Sequence, residues 1–306
     1  VIRAGVIGTG HLGSLHARKY SSIEGVSLVG VCDIDVDIGK RVAGELGTKF
    51  YPEFRSLAAD VDILSIAVPT IHHYEVSRYC LEKGKHILVE KPITEKLWQA
   101  RRLIEIAQRN RLVIQVGHLE RFNPALNKIR NYILTPGFVE AERISPFTER
   151  STDIDVVLDL MIHDIDLILS FVKSPIKRVN AIGVPVLSDK VDIANARVLF
   201  ESGCVANITA SRVSMNKTRK IRIFQEDGYF SIDFMNRNIK VVRMSTKAGE
   251  KRKELTGEFL QTEEGDPLME EIGNFIQSVK EGKEPRVSGY DGLKALEAAY
   301  KIIKKI

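Results

Sequence analysis

The stretch that most constrains the fold is Ala4-Gly5-Val6-Ile7-Gly8-Thr9-Gly10-His11-Leu12-Gly13. A short apolar run ends in Gly8-x-Gly10-x-x-Gly13, and Ser14-Leu15-His16-Ala17-Arg18 continues with helical character. In a strand–turn–helix each glycine has its own task. Gly8 permits the tight turn, Gly10 lets the backbone approach a pyrophosphate, and Gly13 lets the helix sit close on the sheet. The start of the helix then offers N–H groups and a positive dipole end to phosphates. A second apolar run, Val26–Cys32, ends in Asp33, twenty residues past Gly13. A dinucleotide-binding fold places there the carboxylate that holds the adenosine ribose.

The pattern around this stretch predicts the rest of the first domain. Strand candidates are Ile2–Ile7, Val26–Cys32, Val61–Val68, His86–Glu90 and Leu112–Val116. Helical candidates lie between them at Leu12–Ser21, Val36–Leu46, His72–Glu82 and Glu95–Arg109. Such alternation implies an α/β fold, a Rossmann-type doubly wound parallel sheet with helices on both faces, over residues 1–120. Its ligands sit at the carboxyl ends of the strands, which singles out Gly8–Gly13, Val68–His73 and Glu90-Lys91-Pro92. After Gly117 the pattern changes. Helices are expected at Asn123–Ile133 and Asp153–Phe171. Strands follow one another at Phe138–Ile144, Val179–Leu187, Ile193–Phe200, Cys204–Arg212, Lys220–Gln225, Gly228–Phe234 and Ile239–Val242, and the helices Leu268–Glu281 and Gly289–Lys305 close the chain. This predicts an α+β C-terminal domain over 121–306, built on one open, mostly antiparallel sheet.

Composition excludes several classes. With 306 residues, 44% hydrophobic and 28% charged, the chain suits two ordinary globular domains. The net charge of +5 is spread along the chain and accompanies no nucleic-acid-binding motif, so an anionic small ligand is expected rather than DNA or RNA. Cys32, Cys80 and Cys204 show neither metal spacing nor a disulfide framework, which points to a reducing cytoplasm. The chain opens directly on a strand, so no signal peptide is expected, and no apolar run is long enough to span a membrane.

Three constellations carry chemistry. Lys91 stands at a strand's carboxyl end before Pro92, and a residue before proline is kept out of the helical region. Burial beside a cofactor would tune such a lysine for proton transfer, while a surface pair with Glu90 is the plainer reading. The Lys91–Pro92 bond is a candidate cis peptide. On the helix over 153–171, Leu158, Ile162, Ile165 and Leu169 form an apolar stripe, with Asp159 and His163 one turn apart beside it. A carboxylate can orient an imidazole and raise its basicity for general base catalysis. A surface ion pair and half a metal site are the alternatives. Two ligands without a matching cluster do not complete a metal site, and none is expected. Finally, Gly117-His118-Leu119-Glu120-Arg121-Phe122-Asn123-Pro124 joins the two domains. His118, Arg121 and Asn123 are candidates for a polar substrate, and Asn123 equally fits as the cap of a helix begun by Pro124.

Taken in order, Gly8–Gly13, Val31-Cys32-Asp33-Ile34-Asp35, Val68-Pro69-Thr70 with His72-His73, Glu90-Lys91-Pro92, Asp159-x-x-x-His163 and Pro285–Gly292 cover essentially the whole chain. They resemble the glucose–fructose oxidoreductase/inositol dehydrogenase/MocA (Gfo/Idh/MocA) family. The resemblance implies an NAD(P)-dependent dehydrogenase acting on a CH–OH group of a sugar or polyol, joined into homodimers or homotetramers through the C-terminal sheet. It implies Lys91 as the catalytic lysine, with Asp159 and His163 as the Asp/His pair. Cofactor contacts fall on Gly8, Gly10, His11, Leu12 and Gly13, on Asp33, on Pro69, Thr70 and His73, and on Glu90 and Lys91. Asp33 is followed by Ile34, with no arginine beside it to neutralise a 2′-phosphate, so NAD is expected over NADP.

A narrower likeness lies in Val116–Pro124, Arg150-Ser151-Thr152-Asp153 and Val157–Asp166. These resemble family members that oxidise the 3-hydroxyl of UDP-N-acetylglucosamine. Arg121 and Arg150 are then expected at the substrate pyrophosphate, because guanidinium forks match phosphate oxygens in pairs. Many members carry Gly-Gly-x-x-x-Asp ahead of the helix, and Asp155-Val156-Val157 stands there instead. The expected activity is NAD-dependent oxidation of a sugar hydroxyl, the 3-hydroxyl of UDP-N-acetylglucosamine or a related nucleotide sugar. An inositol or free-sugar dehydrogenase is the rival within the class, and a non-catalytic NAD-binding regulator the rival outside it.

Overall fold

A computed structural model describes residues 1–148, 154–246, 253–262 and 264–306. Two compact units emerge: Val1–Leu119 with Asp266–Leu293, and Glu120–Gly265 with Lys294–Ile306.

The first unit runs β1 (Ile2–Ile7), α1 (His11–Ser22), β2 (Val26–Cys32), α2 (Val36–Leu46), β3 (Lys49–Tyr51), α3 (Phe54–Asp60), β4 (Ile63–Ile66), α4 (Thr70–Glu82), β5 (His86–Glu90), α5 (Leu97–Arg109) and β6 (Ile114–Gly117). Its six strands lie in the order β3-β2-β1-β4-β5-β6, and every pair is parallel. All four residues of β4 and of β6 are buried, as a sheet covered on both faces demands. The order reverses between β1 and β4, which fixes the ligand position at their carboxyl ends. Asp35 caps α2 by accepting from the N–H groups of Asp37 and Ile38. The short β3 and α3 were not expected from the sequence.

The second unit opens with α6 (Pro124–Ile129) and β7 (Phe138–Ile144). A π-helical turn over Val157–Met161 leads into α7 (Ile162–Phe171), where the sequence predicts one unbroken α-helix. Then come β8 (Ile176–Val184), β9 (Ile193–Phe200), β10 (Val205–Ser211), β11 (Thr218–Gln225), β12 (Gly228–Asp233), β13 (Asn238–Thr246) and β14 (Lys253–Gln261). The eight-stranded order is β14-β13-β12-β11-β7-β10-β9-β8. Only β7 and β10 pair in parallel; the other six pairings are antiparallel. Burial alternates along β9, so one face is packed and the other is open.

The chain then returns to the first unit through α8 (Pro267–Glu281), before α9 (Gly289–Ile303). The sequence pattern places everything past 120 in the second domain. Leu268, Ile272, Phe275 and Ile276 of α8 instead share one core with Ala4, Val6, Ala17 and Tyr20. Their helical spacing makes a single apolar face, and the hydrophobic effect rewards any sheet-side partner regardless of chain distance. Among the described residues no helix is long and apolar enough to cross a membrane. All three cysteines are free and buried.

Candidate active site

The glycine loop shows three different constraints. Gly8 has φ +86°, and a Cβ there would lie 2.6 Å from the Ala67 carbonyl oxygen. A Cβ on Gly13 would lie 1.7 Å from the Gly8 carbonyl oxygen, so only glycine lets α1 approach the turn. A Cβ on Gly10 would meet nothing within 4 Å. Gly10 is therefore not needed for protein packing, and the open space beside it suits a ligand reaching the backbone. No side chain caps α1, and its first turn carries no acid. Exposed His11 and Leu12 begin that turn, so its N–H groups are available to an anion.

Asp33 is drawn to the same loop. Its Oδ2 accepts from Thr9 N at 2.5 Å and from Thr9 Oγ1 at 2.9 Å, and its Oδ1 accepts from Asp35 N at 2.9 Å. An ionised carboxylate has about four acceptor sites, so capacity is left for ribose hydroxyls. The glycine loop and Asp33 together fit an adenosine diphosphate moiety.

Around β5 the expected residues also gather. The Lys91–Pro92 peptide is cis, and Lys91 is half-buried. Pro69 precedes α4 without a side-chain cap, and Thr70 begins the helix. His73 is buried between two carbonyls, its Nδ1 2.8 Å from Pro92 O and its Nε2 2.9 Å from Val68 O. Burial pushes its pKa down, against the pull of those two carbonyls. Both ring nitrogens thus face main chain, and His73 ties the loop after β4 to the turn after β5. Glu90 Oε1 lies 3.0 Å from His16 Nε2. His16, on α1, carries no motif of its own in the sequence; its offset of three from Gly13 is the available signal.

In the second unit, Asp159 sits in the π turn and His163 in α7, both half-buried. π turns frequently occur at functional sites. Two acids farther along α7 anchor it. Asp164 takes Arg143 Nε and Nη2, each at 2.9 Å, and Arg143 Nη1 reaches Glu120 Oε1 at 3.0 Å. Asp166 takes Arg121 Nε at 2.6 Å and Nη2 at 2.8 Å. Arg121, expected at the substrate, is thus buried with two of its donors committed to Asp166. Asn123 caps α6, accepting from Ala125 N at 3.0 Å. His118 is buried in the first unit, just past β6. Arg150 lies outside the described residues.

Residues 2–118 match the family described as "Oxidoreductase family, NAD-binding Rossmann fold", and residues 132–231 match the "GFO/IDH/MocA C-terminal domain". The chain is 37% identical over 302 residues to the UDP-N-acetylglucosamine 3-dehydrogenase of Acidithiobacillus ferrooxidans, covering 98% of this chain and 96% of that one. A solved structure of that enzyme superposes with a TM-score of 0.93, covering 100% of this chain and 97% of that chain. The myo-inositol 2-dehydrogenase of Thermotoga maritima is 27% identical over 324 residues, 100% of this chain and 96% of that one. With both units matched and the whole chain aligned, this chain belongs to the Gfo/Idh/MocA oxidoreductases and is an NAD-dependent dehydrogenase acting on a CH–OH group.

Proposed function

We propose that this chain oxidises the 3-hydroxyl of UDP-N-acetylglucosamine, or of a closely related nucleotide sugar, to the ketone. The observation that carries the reading is the full-length 37% identity to a UDP-N-acetylglucosamine 3-dehydrogenase, against 27% to a myo-inositol enzyme. NAD, when bound, supplies the acceptor for the hydride that leaves the carbinol carbon. The glycine loop and Asp33 hold and orient its adenosine diphosphate end. The hydroxyl proton passes to a protein base, His163 oriented by Asp159, or Lys91. Lys91 also polarises the forming carbonyl oxygen, where negative charge develops. Asp164 and Asp166 fix the helix that carries His163 through their buried arginines, which limits loss of geometry at the reacting atoms. Arg150 is assigned to the substrate pyrophosphate.

The proposal extends to a homodimer or homotetramer joined through the open face of the eight-stranded sheet. That face is polar, with Glu140 paired to Arg222 at 2.9 Å beside a shallow cavity of about 560 Å³. Three unpaired cysteines suit a reducing cytoplasm. The test is a panel of UDP-N-acetylglucosamine, other UDP-sugars, free sugars and myo-inositol, scored by NADH absorbance and product mass. UDP-N-acetylglucosamine should be turned over best, its product lighter by two hydrogens. Equal or better turnover of myo-inositol or a free sugar would overturn the nucleotide-sugar reading, and turnover of nothing would favour the regulator.

A further inference from the structure

Next to Lys91 the first unit contains a buried chain of polar side chains that hydride transfer does not require. Tyr20 Oη lies 2.9 Å from Ser65 Oγ, Ser65 Oγ lies 3.0 Å from His16 Nδ1, and His16 Nε2 lies 3.0 Å from Glu90 Oε1. Glu271 of α8 completes the set. One ligand-type atom each from His16, Glu90 and Glu271 lie within 4.8 Å of one another. The Glu271 side chain is fully buried, and among the described residues neither carboxyl oxygen has a hydrogen-bond partner. Its backbone carbonyl, by contrast, accepts from Gln115 Nε2 at 2.9 Å.

An ionised carboxylate in that position would be desolvated with no donor to compensate it. A proton resolves the conflict by turning Glu271 from an acceptor into a donor, with a Glu90 ligand atom within 4.8 Å. We propose that Glu271 is a positioning residue: its carboxylic acid stands with Glu90 and His16 in a buried triad whose two carboxyl groups carry one proton and one negative charge beside Lys91. The inference rests on the assignment of Lys91 to proton transfer made above.

His16 and Tyr20 come from α1, His73 from α4, Glu90 and Lys91 from the end of β5, and Glu271 from α8. Burial, then the charge of Glu90, pushes the Glu271 carboxyl well above the usual range. Burial also acts to raise Glu90, but the hydrogen bond and charge of His16, then Lys91 and His73, bring it below the usual range. Two carboxyl groups forced apart in this way hold one proton and one charge between them. The set is not complete as a structural metal site, which needs four ligands.

The test begins with infrared spectroscopy of the full chain without substrate, at neutral pH. A carbonyl stretch of a protonated carboxylic acid should be present, shift in D2O, and vanish in Glu271→Gln. Absence of that band, or its survival in Glu271→Gln, overturns the proposal, and so does a stoichiometric divalent metal in the purified protein that Glu271→Gln removes. The positioning role is read from the pH dependence of turnover. Glu271→Leu removes the donor and should move the basic limb of the turnover profile by roughly one pH unit. Glu271→Gln keeps a neutral donor and should restore that limb. A limb unmoved in Glu271→Leu overturns the role, and where that variant does not fold, loss of the wild-type limb in Glu271→Gln overturns it instead. The infrared band does not depend on the sugar, so failure of the substrate assignment leaves it in place.

Discussion

Replacing Arg121 by methionine separates two meanings of one side chain. If Arg121 serves the fold of the second unit, the cost follows from its burial. Its side chain is 7% exposed and that of Asp166 1%, and two bonds of 2.6 and 2.8 Å join them. Removing the cation leaves Asp166 ionised and buried, a change that costs about 3–5 kcal/mol. For a domain of this size that corresponds to a fall in Tm of roughly 6–20 °C. The double variant Arg121→Met with Asp166→Leu removes both charges and should recover most of the loss, since an apolar pair of similar volume replaces a buried ion pair at little cost. Arg3 and Asp62 provide the contrast. Their shortest contact is a similar 2.7 Å, but with side chains 51% and 41% exposed the Arg3→Met change should be nearly silent. Urea unfolding followed by circular dichroism reads stability, and calorimetry reads NAD affinity, which should not change because Arg121 belongs to the second unit. An Arg121→Met protein as stable as wild type but with a raised KM for the nucleotide sugar refutes the reasoning and returns Arg121 to the substrate.

Other outcomes follow from the site. Asp33→Ala should narrow the preference for NAD over NADP, measured by calorimetry, because the carboxylate that accepts ribose hydroxyls and repels a 2′-phosphate is gone; an unchanged ratio contradicts its role. Lys91→Met should remove most turnover at near-normal NAD affinity, and His163→Ala should lower kcat more than it raises KM, with Asp159→Asn losing less. Asp192 accepts from Val186, Leu187 and Ser188 N–H groups and from Arg212 Nε at 2.7–2.9 Å. Burial acts to raise its pKa, but these donors and the Ser188 hydroxyl hold it below the usual carboxylate range. A depressed folded-state value stabilises above the unfolded pKa and is lost as pH falls through the folded one. Asp192→Asn should therefore lower the urea midpoint at about pH 7 and flatten its fall toward about pH 3.

The parts legible in the sequence were those governed by local backbone chemistry. Gly8 and Gly13 are required by a positive φ and by a close helix–turn approach, and their spacing announces both. Strands β1, β2, β5, β7 and β9 begin and end where the sequence pattern places them. By contrast β3 has three residues and pairs only with β2, too short for alternation to register. The return of α8 was hidden because an apolar helix face states that it packs, not where. The fate of Arg121 was hidden for the same reason, as its partner lies 45 positions away. A signal was nevertheless present. Asp164 and Asp166 sit inside the run Leu158–Leu169, and acids in an apolar helix need buried cations. Glu271 meets Glu90 only through the tertiary fold, and no spacing rule connects them.

The central claim is that hydride leaves C3 of a nucleotide sugar. UDP-N-acetylglucosamine carrying deuterium at C3, incubated with the enzyme and NAD, tests it in one measurement. The account requires the deuterium to appear on the reduced nicotinamide and the sugar product to be lighter by one deuterium and one proton. Turnover that leaves the C3 deuterium on the sugar, or no turnover while a free polyol is oxidised, contradicts it.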